Sequence, residues 1–440
     1  MAKPYNPVSA ADYLPRHLLQ EIQLKRLQNI IKHEYDNVPF YRQRMDEKGV
    51  KPEDIKTLKD IQLLPFTMKK DLRDTYPFGL FAVPMNKIVR LHASSGTTGK
   101  PIVVGYTQED VDSWTNCMAR ALAAGGVTSN DIIQNSYGYG LFTGGLGAHN
   151  GIEALGATVV PTSGGNTERQ IMLMRDFGVN GICCTPSYFI HLCEKAAEMG
   201  VDVKALPIRV GFFGAEPWTQ EMRQRIEEAS GIETFDIYGL SEMSGPGVGI
   251  ECEHHCGLHI FEETFYPEII DPDTGEVLPD GERGELVFTT INKFGMPMIR
   301  YRTRDLTRII PEPCPCGRTL RRIDRISARS DDMFIIRGVN VFPSQIESAF
   351  LSVDATALPH YRITLTRRPD GLDDMLIEIE VREDQFSDDM RKMNELQKKF
   401  SHEIERILGI RAMVKIVQPG AIPRSEGKAK RVFDLRNTTK

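Results

Sequence analysis

The spacing of apolar and polar positions divides the chain into regions of different predicted structure. Residues 16–47 have helical spacing that is interrupted at Asn37-Val38-Pro39, which predicts two consecutive amphipathic helices. Beyond Lys87, short apolar runs alternate with helix-period segments, a pattern typical of a mainly parallel sheet with helices on both faces. The predicted strands are 131–134, 157–160, 181–184 and 210–213, and the predicted helices are 108–123, 167–176, 187–199 and 218–229. Ligands of such sheets bind at loops that leave the carboxyl ends of strands.

Two further patterns follow. From about Phe261, short strands separated by Asp-Pro and Asp-Gly turns predict an antiparallel β unit. After Asp332, a helix (343–352), two strands (357–367 and 374–382), a long helix (387–408) and a last strand (411–417) predict a small α+β domain. The predicted fold class is therefore α/β, with a large N-terminal domain over residues 1–330, a hinge at 331–332 and a small, mobile C-terminal domain over 333–440. That last segment of roughly 110 residues is long enough for its own core.

Composition excludes several classes of protein. The 440 residues are 41% apolar and 26% charged with a net charge of −6, as in a soluble protein of two or three domains. We expect no nucleic-acid partner because there is no basic patch, and no membrane span because no apolar run approaches about 20 residues. The N-terminal residues have no apolar signal core. The eight cysteines do not suggest a disulfide scaffold, which favours a cytoplasmic location.

A run of small hydroxyl residues and glycines closed by a lysine is the strongest chemical signal. It comprises Ser94, Ser95, Gly96, Thr97, Thr98, Gly99 and Lys100, and apolar runs of strand character flank it. Glycine amides and hydroxyls can surround an anion and the lysine adds charge, which predicts a phosphate-binding loop. Pro101 and the β-branched run after it distinguish the loop from a Walker motif and predict that it joins two strands. An ordinary flexible turn is the alternative.

Four later segments add candidate chemistry. Residues 236–242 place a carboxylate, Glu242, just past a strand end, where it could hold magnesium, although a helix N-terminal acid is the alternative. Asp305 follows a basic strand and could accept hydrogen bonds from both ribose hydroxyls, although charged edge strands are common. Residues 329–338 lie at the predicted domain boundary. Residues 423–431 place Lys428 in a glycine-containing loop, for which a basic tail is the alternative.

Together, in this order and spacing, the five segments resemble the adenylate-forming superfamily of acyl-CoA synthetases, adenylation domains and luciferases. The resemblance covers nearly the whole chain. Residues 236–242, 301–305 and 338–343 and the short N-terminal region look closer to the phenylacetate–coenzyme A ligase group. One departure is Glu426, which stands where many relatives have a small hydroxyl residue, and it puts the details of that loop in doubt.

The resemblance implies roles for individual residues. The loop from Ser94 to Lys100 would hold the β- and γ-phosphates of ATP, and Glu242 would bind Mg²⁺. Lys428 would bridge the substrate carboxylate and the α-phosphate, and the small domain would rotate about Asp331. The implied nucleotide-binding residues also include Gly214, Ala215, Glu216, Asp236, Tyr238, Ser241, Asp305 and Arg329, with Tyr238 stacked on adenine and Asp305 on the ribose.

The acyl pocket is implied by the same resemblance. Residues 136–145 combine aromatic side chains with glycines, and their position in the family is beside the acyl group. Aromatic walls suit a flat, neutral aryl group, and phenylacetate is the first expectation. The expected pocket residues are Tyr137, Gly138, Tyr139, Phe142 and Pro246. The alternative is that the aromatic side chains belong to the core.

A metal site that the superfamily does not require is predicted separately. Residues 252–259 contain cysteines and histidines, and Cys314-Pro315-Cys316-Gly317 forms a knuckle. Four ligands dominated by sulfur suit a closed structural Zn²⁺ site. The predicted ligands are Cys252, His259, Cys314 and Cys316, with Cys256 as a substitute for either ligand of the first segment. Free thiols in a reducing cell are the alternative. The remaining cysteines are expected to be core residues.

The leading hypothesis is an ATP-dependent, AMP-forming ligase that joins an aryl acid to coenzyme A. Its expected small-molecule partners are the acid, ATP and coenzyme A, with Mg²⁺ and structural Zn²⁺ as metals and a homodimer left open. One alternative is transfer of the acyl group to the phosphopantetheine of a carrier protein. The other is a nucleotide-binding regulator or ATPase without acyl chemistry.

Overall fold

The computed structural model describes residues 5–94, 101–326, 328–329, 334–337, 339–354, 360–368, 372–386, 390–424 and 430–436. The α-helices in these residues are α1 (Arg16–Asn37), α2 (Pro39–Glu47), α3 (Lys69–Asp74), α4 (Gln108–Ala124), α5 (Thr143–Ala154), α6 (Thr167–Asp176), α7 (Pro186–Glu198), α8 (Gln220–Ser230), α9 (Pro343–Val353) and α10 (Met390–Leu408). No described helix is long and apolar enough to cross a bilayer.

The strands up to residue 307 are β1 (Arg90–Ala93), β2 (Val103–Tyr106), β3 (Ile132–Asn135), β4 (Thr158–Val160), β5 (Gly181–Cys184), β6 (Val210–Gly214), β7 (Glu233–Leu240), β8 (Gly245–Glu251), β9 (Leu258–Ile260), β10 (Phe265–Ile270), β11 (Gly284–Thr290) and β12 (Tyr301–Thr307). The later strands are β13 (Ile309–Ile310), β14 (Arg322–Ile323), β15 (Ala328–Arg329), β16 (Phe334–Ile336), β17 (Val339–Val341), β18 (Tyr361–Arg367), β19 (Asp373–Glu380), β20 (Met413–Val417) and β21 (Val432–Asp434).

The chain divides into two compact units. The first comprises Met1–Cys184, Leu206–Ala215 and Glu233–Ile326, and the second comprises Thr185–Ala205, Glu216–Ile232 and Ser327–Lys440. The domain boundaries predicted from the sequence stay a prediction, because the hinge at 331–332 lies outside the described residues.

A nine-stranded sheet in the order β13-β14-β9-β8-β7-β6-β5-β3-β4 organises the first unit. The strands from β4 to β7 pair in parallel, and those from β7 to β13 pair antiparallel. The mixed α/β prediction is therefore confirmed, and the parallel strands form one half of this sheet. Strands β1 and β2 pair antiparallel on either side of the predicted phosphate loop, as expected. Strands β10, β11 and β12 form the predicted antiparallel unit.

Local sequence signals explain where several helices begin. Threonine side chains at 107, 185 and 219 accept hydrogen bonds from first-turn amides of α4, α7 and α8. The split of 16–47 into α1 and α2 at Val38-Pro39 is confirmed, since proline suits the first turn of a helix. Helix α5 was not predicted, because its glycine-rich first half, Thr143 to Gly147, has poor helix propensity.

The second unit has its own apolar core, built on α9, α10 and a four-stranded sheet in the order β20-β19-β18-β21. Strands β18 and β19 pair antiparallel, whereas β20 and β21 join them in parallel. These elements correspond to the helix–strand–strand–helix–strand order predicted for the C-terminal region. Strand β18 begins at Tyr361, and the start predicted at 357 lies among residues 355–359, which are outside the described residues.

A buried cluster of charges ties the N-terminal residues of the first unit to its sheet. The Arg120 side chain is 2% exposed and donates to Asp12 Oδ1 at 2.8 and 2.5 Å, and also to Glu263. Its guanidinium also lies 4.3 Å from the centroid of the Phe261 ring. A charge buried this deeply is tolerated because it is paired and hydrogen-bonded.

We therefore expect Arg120→Met to destabilise the protein by about 3 kcal/mol, because the substitution leaves buried carboxylates without this partner. The midpoint of urea unfolding measures the effect. Arg283→Met is the matched control, since the Arg283 side chain is 56% exposed and pairs with Asp324 at the surface. It should cost less than about 1 kcal/mol. Equal midpoints for the two variants would contradict the assigned role of Arg120.

Candidate active site

The carboxyl end of β7 gathers several predicted site residues. Asp236 and Tyr238 lie on the strand, and Ser241 and Glu242 lie in the turn that leads to β8. The two strands approach very closely here, because a Cβ on Gly239 would lie 1.7 Å from the carbonyl oxygen of Gly245. Glycine is required at this position, and the turn brings Glu242 back beside the end of the strand.

Two predicted nucleotide-binding residues contact each other directly. The Tyr238 hydroxyl donates to Asp305 Oδ2 at 2.5 Å, although β7 and β12 belong to different sheets. Asp305 is 3% exposed, and its amide donates to Thr303 Oγ1 at 3.0 Å. The Tyr238 ring lies beside Phe288, with centroids 6.2 Å apart. An aromatic face and a carboxylate are thereby held together, a combination that suits a nucleoside.

The Glu242 carboxylate is nearly buried, with 6% exposure. Its Oε1 accepts a hydrogen bond from the Tyr301 hydroxyl at 3.2 Å. The Lys293 ammonium donates to the backbone carbonyl of Glu242 at 2.8 Å. Burial lowers the pKa of Lys293 to about 8, while the charges of Asp110, Glu242 and Glu34 act in the opposite direction. The site therefore combines a buried acid with a buried cation.

The end of β6 contributes the segment from Gly214 to Glu216. A Cβ on Gly214 would lie 2.2 Å from the carbonyl oxygen of Ile237, so only glycine permits this contact with β7. Ala215 is exposed at φ 70°. Glu216 belongs to the second unit, where its Oε1 accepts the Ser187 amide at 2.8 Å in the first turn of α7. The Asp236 amide donates to Glu251 Oε2 at 2.9 Å.

Other predicted nucleotide-binding residues are placed only in part. Ser94 begins its loop with two hydrogen bonds to Ile102, one from the Ser94 amide at 2.9 Å and one to its Oγ at 3.2 Å. Arg329 is half-buried on β15 in the second unit. The remaining loop residues and two C-terminal candidates lie outside the described residues, namely Ser95, Gly96, Thr97, Thr98, Gly99, Lys100, Asp331 and Lys428.

The predicted acyl-pocket residues differ in exposure. Tyr137 is 4% exposed, and its hydroxyl donates to the Phe212 carbonyl at 3.4 Å. The half-buried Tyr139 has its hydroxyl 2.8 Å from Asn135 Nδ2, and desolvation raises the pKa of Tyr139 to about 12. Phe142 is 42% exposed at the start of α5. Tyr137 thus has the burial of a core residue, whereas Phe142 has an open face.

Two smaller pocket residues complete the set. A Cβ added at Gly138 would meet no heavy atom within 4 Å, so the space beside this backbone is open. The Pro246 carbonyl accepts the Trp114 indole N–H at 2.8 Å at the start of β8. An open backbone flanked by aromatic rings can accommodate a flat apolar group.

The structure brings together the four predicted metal ligands in the first unit. One ligand atom from each of Cys252, His259, Cys314 and Cys316 lies within 4.8 Å of the others. The Cys252 and Cys314 sulfurs are 3.6 Å apart, and Cys316 Sγ is 3.4 Å from His259 Nε2. Hydrogen bonds from the Cys252 and Cys314 thiols lower the pKa of Cys316. Three sulfurs and one imidazole nitrogen match a structural zinc site.

Cys256 is placed beside this group rather than in it. Its sulfur is 3.6 Å from Cys314 Sγ, but the Arg322 guanidinium lies 2.8 Å from the same sulfur and also donates to the Cys256 carbonyl. An arginine donor can stabilise a thiolate but leaves less room for a cation. The geometry thus favours the four ligands without Cys256.

Several residues around the turn after β7 were missed by the sequence analysis. Tyr301 lies inside the segment 301–305, yet the sequence suggested no role for its hydroxyl. Lys293 follows β11 in an unremarkable stretch, and a buried lysine has no local signature. Trp114 offered one usable signal, because the chain has only two tryptophans and a buried indole N–H needs an acceptor.

Comparisons with known proteins show the family of the chain. The AMP-binding enzyme family matches residues 19–294, and the AMP-binding enzyme C-terminal domain matches residues 338–436. The chain is 53% identical over 421 residues to the phenylacetate–coenzyme A ligase of Escherichia coli (strain K12), covering 95% of each protein. It is 48% identical to the phenylacetate–coenzyme A ligase of Thermus thermophilus over 437 residues, covering 96% of this chain and 98% of that protein.

Among solved structures, a 2-hydroxyisobutyryl-CoA ligase is similar over nearly the whole chain. That crystal structure is of the postadenylation state in complex with R3-HIB-AMP. It shares 30% sequence identity with a TM-score of 0.91, covering 99% of this chain and 94% of the other.

Proposed function

The chain belongs to the AMP-binding enzyme family, within it to the phenylacetate–coenzyme A ligase group, and from this premise we propose that it joins an aryl acid to coenzyme A. The acid, phenylacetate in this proposal, is first activated by ATP as an acyl-adenylate, and AMP is released when the thioester forms. The family resemblance inferred from the sequence is confirmed.

The structural observation that best supports the proposal is the hydrogen bond between Tyr238 and Asp305, close in sequence to Glu242 and Tyr301. Tyr238 on β7 is hydrogen-bonded to Asp305 on β12, and Glu242 in the turn after β7 accepts a hydrogen bond from Tyr301 at the start of β12, all within the first unit. The Tyr238 face suits adenine, and the Asp305 carboxylate suits ribose hydroxyls. Glu242 at the strand end suits the phosphates through a divalent cation. An isolated ATPase site would not explain the neighbouring aromatic residues at 137–142.

The residues fit Mg²⁺ at Glu242, because a nearly buried carboxylate that accepts one hydroxyl hydrogen bond is stabilised by a cation. The ion would supply charge neutralisation on the phosphates during attack by the substrate carboxylate. Tyr301 orients the Glu242 carboxylate. Because two anions must meet in this step, positioning and charge compensation provide most of the catalysis.

Lys100 and Lys428 are proposed for the adenylation step on the family resemblance. Lys100 would neutralise the leaving pyrophosphate together with the hydroxyls of its loop, and Lys428 would bridge the acid and the α-phosphate. The proposal gives Lys428 no part in thioester formation, in which the coenzyme A thiol attacks the acyl-adenylate carbonyl and AMP leaves. Rotation of the C-terminal domain about Asp331 between the two steps belongs to the same proposal.

The acid class is supported by the relatives and by the aromatic residues. The relatives named above are phenylacetate–coenzyme A ligases. Tyr139 and Phe142 can line a flat apolar group, and the space beside Gly138 is open. Coenzyme A is favoured over a carrier protein because the same relatives use it. A cytoplasmic location and a homodimer stay predictions.

We also propose that Cys252, His259, Cys314 and Cys316 hold a structural zinc ion. The proximity of three thiols and an imidazole supports this, since three cysteines and one histidine are a common ligand set of closed structural zinc sites. No catalytic step is assigned to the ion. Its effect would be to fix the segment after β8 to the 314–316 loop.

The first prediction of the proposed function concerns the reaction itself. With ATP and Mg²⁺, purified protein should catalyse pyrophosphate–ATP exchange only when an acid is present, and AMP should appear when coenzyme A is added. A screen of arylacetates, benzoates, cinnamates and fatty acids should favour phenylacetate by about tenfold or more over fatty acids. Formation of ADP without acid-dependent exchange would reject the ligase in favour of an ATPase.

The second prediction separates the two half-reactions. Lys428→Ala should lower the adenylation rate by about 10²–10³-fold, because a charge that stabilises the transition state is lost. Thioester formation from supplied acyl-adenylate should be largely retained. Lys430→Ala is the matched control, since the Lys430 ammonium lies 4.9 Å from the Phe433 ring and has no proposed role. Equal loss of both half-reactions in Lys428→Ala would contradict the assignment.

The third prediction concerns the metal. Elemental analysis of the purified chain should find one zinc ion per protein, and the double variant Cys314→Ser/Cys316→Ser should lose it. Cys256→Ser should retain the metal, because its sulfur interacts with Arg322 and lies outside the four-ligand group. Loss of zinc from Cys256→Ser, or its absence from the unmodified protein, would overturn the proposed ligand set.

A further inference from the structure

Three buried side chains form a continuous stack beside the turn after β7. The Lys293 ammonium lies 4.7 Å from the centroid of the Tyr106 ring. The Tyr106 ring in turn stacks on the Trp114 indole, with centroids 5.3 Å apart and planes inclined by 21°. All three residues are at most 1% exposed. They come from the loop after β11, from the end of β2 and from α4.

Each member of the stack donates a hydrogen bond to a different backbone carbonyl of one short segment. The Tyr106 hydroxyl donates to the Ser241 carbonyl at 2.9 Å. The Lys293 ammonium donates to the Glu242 carbonyl at 2.8 Å. The Trp114 indole N–H donates to the Pro246 carbonyl at 2.8 Å. We call residues 241–246 the site turn and these three residues the donor stack.

The site turn packs directly against the donor stack. Gly245 has a φ of 70°, and a Cβ there would lie 2.8 Å from Trp114 Cζ2 and 2.6 Å from Thr143 Cβ. No side chain larger than hydrogen fits between the turn and the indole. The turn therefore has little freedom of its own, and its backbone position depends on the three donors.

Burying an ammonium group costs free energy of folding unless the charge is paired and hydrogen-bonded. The groups that face Lys293 are the acids Asp110, Glu242 and Glu34, together with the Tyr106 ring. Asp110 already accepts the amides of Phe294 and Gly295, the two residues that follow the lysine, at 2.6 and 2.8 Å. The loop that carries Lys293 is thus fixed independently of the site turn, so the lysine can act as a rigid donor.

We propose that Lys293, Tyr106 and Trp114 are positioning residues that act on two different substrate-binding parts of the proposed adenylation site. Lys293 and Tyr106 fix the Ser241–Glu242 part, which governs the use of Mg²⁺ and ATP. Trp114 fixes Pro246, which governs binding of the acid. The inference rests on the proposed function, since both ligand assignments come from it.

The test compares Lys293→Met, which removes the donor, with Trp114→Phe, which removes the indole N–H but keeps an aromatic ring. Acid-dependent pyrophosphate exchange is measured against Mg²⁺ and against phenylacetate. We expect Lys293→Met to raise the half-maximal Mg²⁺ concentration by about tenfold, with the KM for phenylacetate changed by less than about twofold. Trp114→Phe should raise the KM for phenylacetate and leave the half-maximal Mg²⁺ concentration nearly unchanged. Tyr106→Phe should raise the half-maximal Mg²⁺ concentration, but by less than Lys293→Met does.

Two further variants separate positioning from folding. Lys293→Gln retains a neutral donor and should therefore raise the half-maximal Mg²⁺ concentration less than Lys293→Met does. The double variant Lys293→Met/Glu34→Gln removes the buried acid that Lys293→Met leaves without its cation. Lys70→Met is the matched control, because that lysine is 80% exposed and pairs with Asp74. Melting temperatures are recorded for every variant.

The outcomes distinguish this inference from the proposed function. Amide hydrogen–deuterium exchange of the site turn should accelerate in Lys293→Met and Trp114→Phe, a readout that needs no activity. If the unmodified protein fails to exchange pyrophosphate, the proposed function is wrong while this readout still tests the stack. The inference is overturned if the protein is active but each variant changes the half-maximal Mg²⁺ concentration and the KM for phenylacetate by the same factor. It is also overturned if neither variant changes either quantity.

Discussion

The close approach of β7 and β8 is the constraint on which the proposed site depends. At Gly239 the two backbones are so near that a Cβ would lie 1.7 Å from the Gly245 carbonyl oxygen. Asp236 and Tyr238 precede this point, Glu242 lies in the turn itself, and Pro246 follows it. The proposed nucleotide-binding face, the proposed metal-binding acid and part of the proposed acyl pocket are thereby connected through one tightly packed hairpin. Moving the hairpin would move all of them together.

Buried charge extends this constraint to the N-terminal helices. Glu34 on α1 is fully buried, and its carboxylate oxygens have no hydrogen-bond partner among the described residues. Burial raises the pKa of Glu34, and the Lys293 ammonium acts in the opposite direction. The lysine that donates to the Glu242 carbonyl therefore also interacts electrostatically with an acid on α1. Helix α1 contributes to the electrostatics of the site although none of its residues was predicted to be functional.

The sequence was sufficient for much of the fold, since most predicted helices and strands depend on periodicity and on proline or threonine signals. Helix α5 was missed because its first half is rich in glycine, and tertiary packing overrides that weak propensity. For the proposed site, the sequence singled out Tyr238, Asp305 and Glu242 because they stand in ordered motifs, and their roles stay predictions. The donor stack could not be found, because Tyr106, Trp114 and Lys293 are distant in the sequence and carry ordinary local patterns. The sequence chose the four metal ligands but left Cys256 open as a substitute, because no sequence pattern places Arg322 against the Cys256 sulfur.

Strand β8 links the two proposed binding regions of the first unit. At the start of β8, the Trp114 indole donates to the Pro246 carbonyl. Cys252, which directly follows the end of β8, is a member of the four-ligand cluster. His259 on β9 pairs in register with Ile250 of the same strand, and with Arg322 of β14 on its other side. A strand fixed at both ends cannot slide along its neighbours without breaking one of these attachments. Strand β7 pairs with β8 on both sides of an irregularity between Tyr238 and Gly239, so an ion bound at the cluster would stabilise the strand pairing on which the position of Glu242 depends.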